Sequence, residues 1–125
     1  MPSLHRILIG ALTLAMPAAL AAQKPATLAT GTWTGTVTPP NQAALEATFD
    51  VRMSGDTTKI TMKPGSFAVE LADIRVEATR LLFTFSPGGD TISCTLLLRD
   101  DKSYSGDCVG SQGGKGVIVM KPPKS

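Results

Sequence analysis

The chain has 125 residues, 18% of them charged, with 12 basic and 10 acidic groups for a formal charge of +2. That length fits one domain and excludes a two-domain enzyme, and the near balance of charge gives no polyanion or nucleic-acid footprint. One histidine, His5, and two cysteines exclude by inventory most metal sites and most nucleophilic triads.

The N-terminus reads as a targeting signal. A short basic stretch ending at Arg6 leads into an apolar run from Ile7 to Leu20, followed by Ala21 and Ala22. This is the pattern of a secretory signal peptide over residues 1–21, with Ala19 and Ala21 meeting the small-x-small requirement for cleavage after Ala21. Cleavage after Ala22 is the second option. The competing reading is a membrane anchor, but a span needs ~20 apolar residues, and Pro17 with the Ala-rich end suits a processing region. The expectation is therefore an exported protein, periplasmic or extracellular, with no stable membrane insertion once the signal is removed. Residues 22–30 form a polar leader, 31–121 the folded domain and 122–125 a tail. The mature part contains no histidine.

From Gly31 onward apolar and polar residues alternate. Trp33, Gly35 and Val37 alternate with threonines, and Leu45, Ala47, Phe49, Val51 and Met53 alternate with Glu46, Thr48, Asp50 and Arg52. Period two marks strands with one dry and one wet face. Eight strands are predicted, over 32–38, 43–53, 57–63, 67–76, 80–86, 91–99, 103–109 and 115–121. Within the fourth, Phe67, Val69 and Leu71 hold one parity and Ile74 and Val76 the other, which implies a bulge near Ala72-Asp73. Turn residues separate the runs, at Pro39-Pro40-Asn41, Ser54-Gly55-Asp56, Pro64-Gly65, Pro87-Gly88-Gly89, Asp100-Asp101-Lys102 and Gly110 to Gly114. The Glu77–Arg80 turn lacks such residues. Short gaps give antiparallel hairpins in up-and-down order.

An inward face that includes Trp33, Phe49, Phe67, Phe83 and Phe85 needs cover, and no helix is predicted to supply it. The fold class is thus all-β: a single antiparallel up-and-down barrel of about eight short strands, with a two-layer sandwich as the alternative. A membrane barrel would need strands of ~9–11 residues and aromatic girdles, which six aromatic residues do not provide. Matching apolar faces sets Phe85 opposite Ile92, Phe83 opposite Cys94 and Leu81 opposite Leu96, then Leu98 opposite Tyr104 and Leu96 opposite Gly106. The same register sets Cys94 opposite Cys108, within disulfide reach. An oxidising compartment would join them.

The opening Gly31-Thr32-Trp33-Thr34-Gly35 resembles the G-x-W start of the calycin barrels, the lipocalins and avidins. That resemblance implies a small secreted up-and-down barrel binding a ligand in its mouth. Trp33 is the single tryptophan, so the tryptophan-lined ligand site of an avidin does not carry over. For Trp33 the readings are a plug at the closed end or a ligand-stacking surface.

Carboxylates do not converge on a catalytic pair. Glu46, Asp50, Glu70 and Glu77 fall on the wet face, while Asp56, Asp90, Asp100 and Asp101 fall in turns; glycoside hydrolysis needs two acids across a cleft, one of them desolvated. The direction of Asp73, at the bulge, is open. Asp100-Asp101 lacks the spacing of a calcium loop. The Gly110–Gly116 stretch departs from a phosphate loop, since Val109 stands at its first glycine position and Gly116 at its hydroxyl position. Serines in the mature part have no histidine partner.

No catalytic residue, metal or cofactor is therefore expected. The functional expectation is a secreted, non-enzymatic binding module for a small apolar ligand. The alternatives are a module binding an exported protein, such as a protease inhibitor, and an envelope component without a discrete site. Candidate contacts are Trp33, the outward-facing pair Leu82 and Leu97, and the loop residues Gly110, Gly113 and Lys115.

Overall fold

The computed structural model describes residues 26–124, so the signal-peptide expectation, including His5, lies outside the described residues. Within them the chain is all β with no helix. Nine antiparallel strands run in chain order: β1 Gly31–Thr38, β2 Leu45–Ser54, β3 Thr57–Pro64, β4 Val69–Glu70, β5 Ala72–Val76, β6 Arg80–Phe85, β7 Ile92–Leu98, β8 Tyr104–Gly110 and β9 Lys115–Lys121. They form one sheet ordered β4-β3-β2-β1-β9-β8-β7-β6-β5. Its two end strands are consecutive in the chain, so the sheet curls into a nearly closed barrel with one unsealed seam.

The seam accounts for nine strands where the sequence predicts eight. The predicted fourth strand divides at Leu71: Val69 and Glu70 pair with β3, whereas Ala72 to Val76 pair with β6. Leu71 is buried at the division and donates its N–H to the Ile60 carbonyl at 3.0 Å. Immediately after it lies the expected bulge. Ala72 faces Thr84 and Arg75 faces Leu82, so two residues on β5 oppose one on β6. Asp73 takes a positive φ of 51° there, turns outward, and accepts a hydrogen bond from Thr84 Oγ1 at 2.9 Å.

The predicted hairpin registers hold. Phe85 faces Ile92, Phe83 faces Cys94, and Leu81 faces Leu96. Leu98 faces Tyr104, and Leu96 faces Gly106. Cys94 and Cys108 face each other with Cα atoms 4.0 Å apart and sulfurs at the disulfide distance of 2.04 Å. The Glu77–Arg80 turn compensates for its missing glycine: Glu77 donates its N–H to the Arg80 carbonyl, and the two side chains form an ion pair.

Inward residues of all the long strands form one core, deepest at Phe49, Ile60, Met62, Leu81, Phe83, Leu96, Ile118 and Met120. One end of the barrel is shut. Leu28 of the leader is buried there, and Trp33 is 3% exposed, with its ring 5.8 Å from that of Tyr104 and its indole N–H donated to the Ala29 carbonyl. The other end carries the β1–β2, β3–β4, β6–β7 and β8–β9 connections. Phe67, expected inside, sits in the β3–β4 connection and is 71% exposed. The strand pattern begins only at Val69, because the turn closed by Phe67 N–H to the Pro64 carbonyl uses up the residues before it.

Candidate functional site

At the open end a cavity of about 500 Å³ descends between the loops to the top of the core. The strands build it by bringing inward positions to their mouth-side ends. Val37 is the last but one residue of β1, Leu45 opens β2, Val69 opens β4, Phe85 closes β6 and Ile92 opens β7, while Ile118 and Met62 reach it from below. Pro39, Pro40, Phe67 and Pro87 form its rim, and Cys108 of the linked cysteine pair is part of its wall. The phenylalanines divide the interior between them. Phe49 and Phe83 fill the centre of the barrel, Phe85 forms part of the cavity lining, and Phe67 stands on the rim. The centre of the barrel is thus filled, and the open half is concave and apolar, the usual form of a small-molecule pocket. A second, more polar concavity of about 580 Å³ lies along the seam between the β2–β3 turn and β5, lined by Asp56, Lys59, Leu71, Asp73 and Val76.

Among the described residues one charged side chain lines the apolar cavity, Asp90 in the β6–β7 loop, and no lysine or arginine does. Asp90 is held from the neighbouring loop. Ser111 donates its backbone N–H to Oδ1 at 3.1 Å and its hydroxyl to the same oxygen. Gly110 makes room for it, since a Cβ at that position would lie 2.7 Å from Asp90 Oδ2. Among the described residues no donor reaches Oδ2 and no cation pairs with Asp90.

The remaining sequence candidates are dispersed. Trp33 lies in the core at the shut end, away from the cavity. Leu82 and Leu97 are on the outer wall, as expected, in diagonal rather than direct contact positions: Leu82 faces Thr95 and Leu97 faces Arg80. Leu97 is 44% exposed and Leu82 half-buried. Of the loop candidates, Gly110 lines the cavity, whereas Gly113 makes the β8–β9 turn with φ at 95°. Lys115 is directed to the outer wall, where its Nζ is 3.4 Å from Asp107.

The wet-face carboxylates also serve the wall. Lys63, donating to Asp50, holds that carboxyl below its usual range, and Glu70 is lowered chiefly by the Thr61 hydroxyl, with Arg52 helping. In the β7–β8 turn the Ser103 hydroxyl lowers Asp101. Each of these acids is thus kept in its charged form by local partners.

The sequence pattern missed the cavity lining at Val37, Leu45, Val69 and Ile92, reading these as ordinary core positions. It placed Asp90 only in a turn. What distinguishes these residues is their position at strand ends that share one rim, which becomes visible only after the seven hairpin turns are assigned to two sides.

Comparison with protein-family models gives no match, and comparison with curated proteins gives none. Among solved structures the chain is similar to a redesigned β-barrel, with a TM-score of 0.58 and 13% identity over 76% of this chain and 91% of that one. At that identity the likeness concerns the fold alone.

Proposed function

We propose that the protein is an exported, non-enzymatic binding module that holds a small apolar ligand in the open end of its barrel. The observation that carries this reading is the apolar cavity of about 500 Å³ at the open end, above the buried Phe49 and Phe83. A chain that needed only a stable barrel would gain by filling this space, because unfilled apolar volume costs stability. The G-x-W opening at Gly31–Gly35, similar to that of calycin barrels, supports the same use of the mouth. Export is supported by the signal-peptide pattern in residues 1–21 and by the cysteine pair, whose spacing suits an oxidising compartment. The non-enzymatic reading rests on the residue inventory of the mature part.

The test uses a neutral solvatochromic dye such as Nile red with the secreted protein. Leu45 and Leu97 are about equally exposed, at 41% and 44%, but only Leu45 lines the cavity. Leu45→Arg is expected to weaken dye binding by about tenfold, the equivalent of ~1.4 kcal/mol, and Leu97→Arg to leave it unchanged. A protein that binds no dye, or two variants of equal effect, would overturn the reading. Loss only in Leu97→Arg would transfer the function to the outer wall and to a protein partner.

A further inference from the structure

We propose that the ligand of this mouth is an amphipathic cation: an apolar body carrying a protonated amine that is set against Asp90. The inference rests on the mouth being the binding site and adds the chemistry of the ligand's polar end.

Three observations bear on it. Among the described residues the cavity is lined mainly by apolar groups and by one carboxylate, with no basic side chain. That carboxylate is fixed rather than free to swing away, because Oδ1 accepts two hydrogen bonds from Ser111 of the next loop. Its second oxygen is left without a donor among the described residues, over the glycine whose missing Cβ gives it space. A half-buried carboxylate oxygen beside apolar walls lacks part of the hydration it would have in bulk water. An ammonium group placed there restores a charge-assisted hydrogen bond, and the adjoining apolar surface takes the hydrocarbon. A fatty-acid carboxylate at the same place would meet like charge with no basic group to offset it. The preference is local to the mouth, since the formal charge of the whole chain is +2 and does not itself attract a cation.

The experiment compares decylamine, decanol and decanoate, each below its aggregation threshold at pH 7, as displacers of Nile red. At that pH an alkylamine is protonated, as a lysine side chain is. Decylammonium is expected to displace the dye about tenfold more effectively than decanol, and decanoate less effectively than either. Asp90→Asn keeps an oxygen for Ser111 and removes the charge. It is expected to bring decylammonium to the level of decanol and to leave decanol unchanged. If decanol displaces the dye and decylammonium does no better, the cationic ligand is excluded while the apolar mouth stands; a preference that survives in Asp90→Asn has the same consequence. If none of the three displaces the dye, both readings fall. The comparison of decylammonium with decanol in the unaltered protein needs no variant, so a poorly folding Asp90→Asn would not remove the test.

Discussion

Gly35 and Gly106 stand where the backbone leaves no room for any side chain. A Cβ on Gly35 would lie 1.7 Å from the Val119 carbonyl oxygen, and one on Gly106 would lie 2.1 Å from that of Thr95. Both occupy inward positions of strands that must coil tightly around a small barrel, and glycine is the residue that permits such close backbone approach. Alternation placed them on the dry face but gave no sign of why they are small, because a two-residue period records parity and not curvature. Parity is decisive on β6. Phe83 is 1% exposed and packs against Phe85 at a ring separation of 6.5 Å, whereas Thr84 faces outward to Asp73. Phe83→Ala is expected to cost ~3–5 kcal/mol in denaturant unfolding through lost burial and the cavity left behind. Thr84→Ala removes one hydrogen bond in a half-exposed setting and is expected to cost about 1 kcal/mol or less. Similar costs for the two would mean that the inward face of β6 is misassigned. Phe67 marks the limit of the same rule. It extends the parity of Val69 and Leu71 on paper, yet it belongs to a turn, and parity has no meaning until the backbone is extended.

At the level of the element, β7 and β8 were fully legible because two unrelated requirements chose one register. Apolar matching alone sets Leu96 opposite Gly106 and Leu98 opposite Tyr104, and that register brings Cys94 and Cys108 together. A one-residue slip would turn one strand's apolar face away from the other's and separate the cysteines. The linkage then adds to a hairpin that is already specified. In the chain-entropy account, a loop closed over a sequence separation of 14 contributes about 3 kcal/mol, and less when the hairpin is partly present in the unfolded chain. The double variant Cys94→Ala with Cys108→Ala is therefore expected to keep its β-sheet circular dichroism and to melt at a lower temperature. Thiol titration of the unreduced, denatured protein is expected to find none. Two free thiols in the secreted protein, or no change in melting on removing both cysteines, would contradict this role. Asp90 shows where pairing rules stop, at the backbone. Its place at the cavity depends on Ser111, 21 residues away on another loop. The β7–β8 register, continued past Ile92–Gly110, sets Ser111 beside Thr91, but pairing does not say that the Asp90 carboxylate turns to accept from it.

For the whole molecule, the barrel's closure is uneven. Every neighbouring pair from β3 round to β6 through β1 and β9 is joined by long ladders of backbone hydrogen bonds, six to eight residue pairs in most cases. At the edge of the seam, β4 contributes only two paired residues to β3. Leu71 donates one further hydrogen bond, to Ile60, and β5 turns away to β6 over the bulge. The sequence foretold the bulge but not the seam, because the parity change between Leu71 and Ile74 says that the strand is interrupted and not that its halves have different partners. Local opening is easiest where backbone hydrogen bonds are few and exposed. Amide exchange should therefore be fastest, outside the loops, in Val69 to Val76 and slowest in β8 and β9, whose two edges are both paired. Mass spectrometry of peptic fragments after exchange resolves the two regions. Protection of 69–76 equal to that of 115–121 would mean that the barrel is sealed in solution. The seam's position also bears on ligand entry. Val69 lines the cavity and begins the weakly held strand, so opening of β4 from β3 would widen the mouth without disturbing the Cys94–Cys108 hairpin on the opposite wall. On that argument a bound apolar ligand, by packing against Val69, should slow exchange in 69–76 more than in β8 or β9. Uniform slowing across all strands would instead report general stabilisation, and no slowing at 69–76 would place the ligand away from β4.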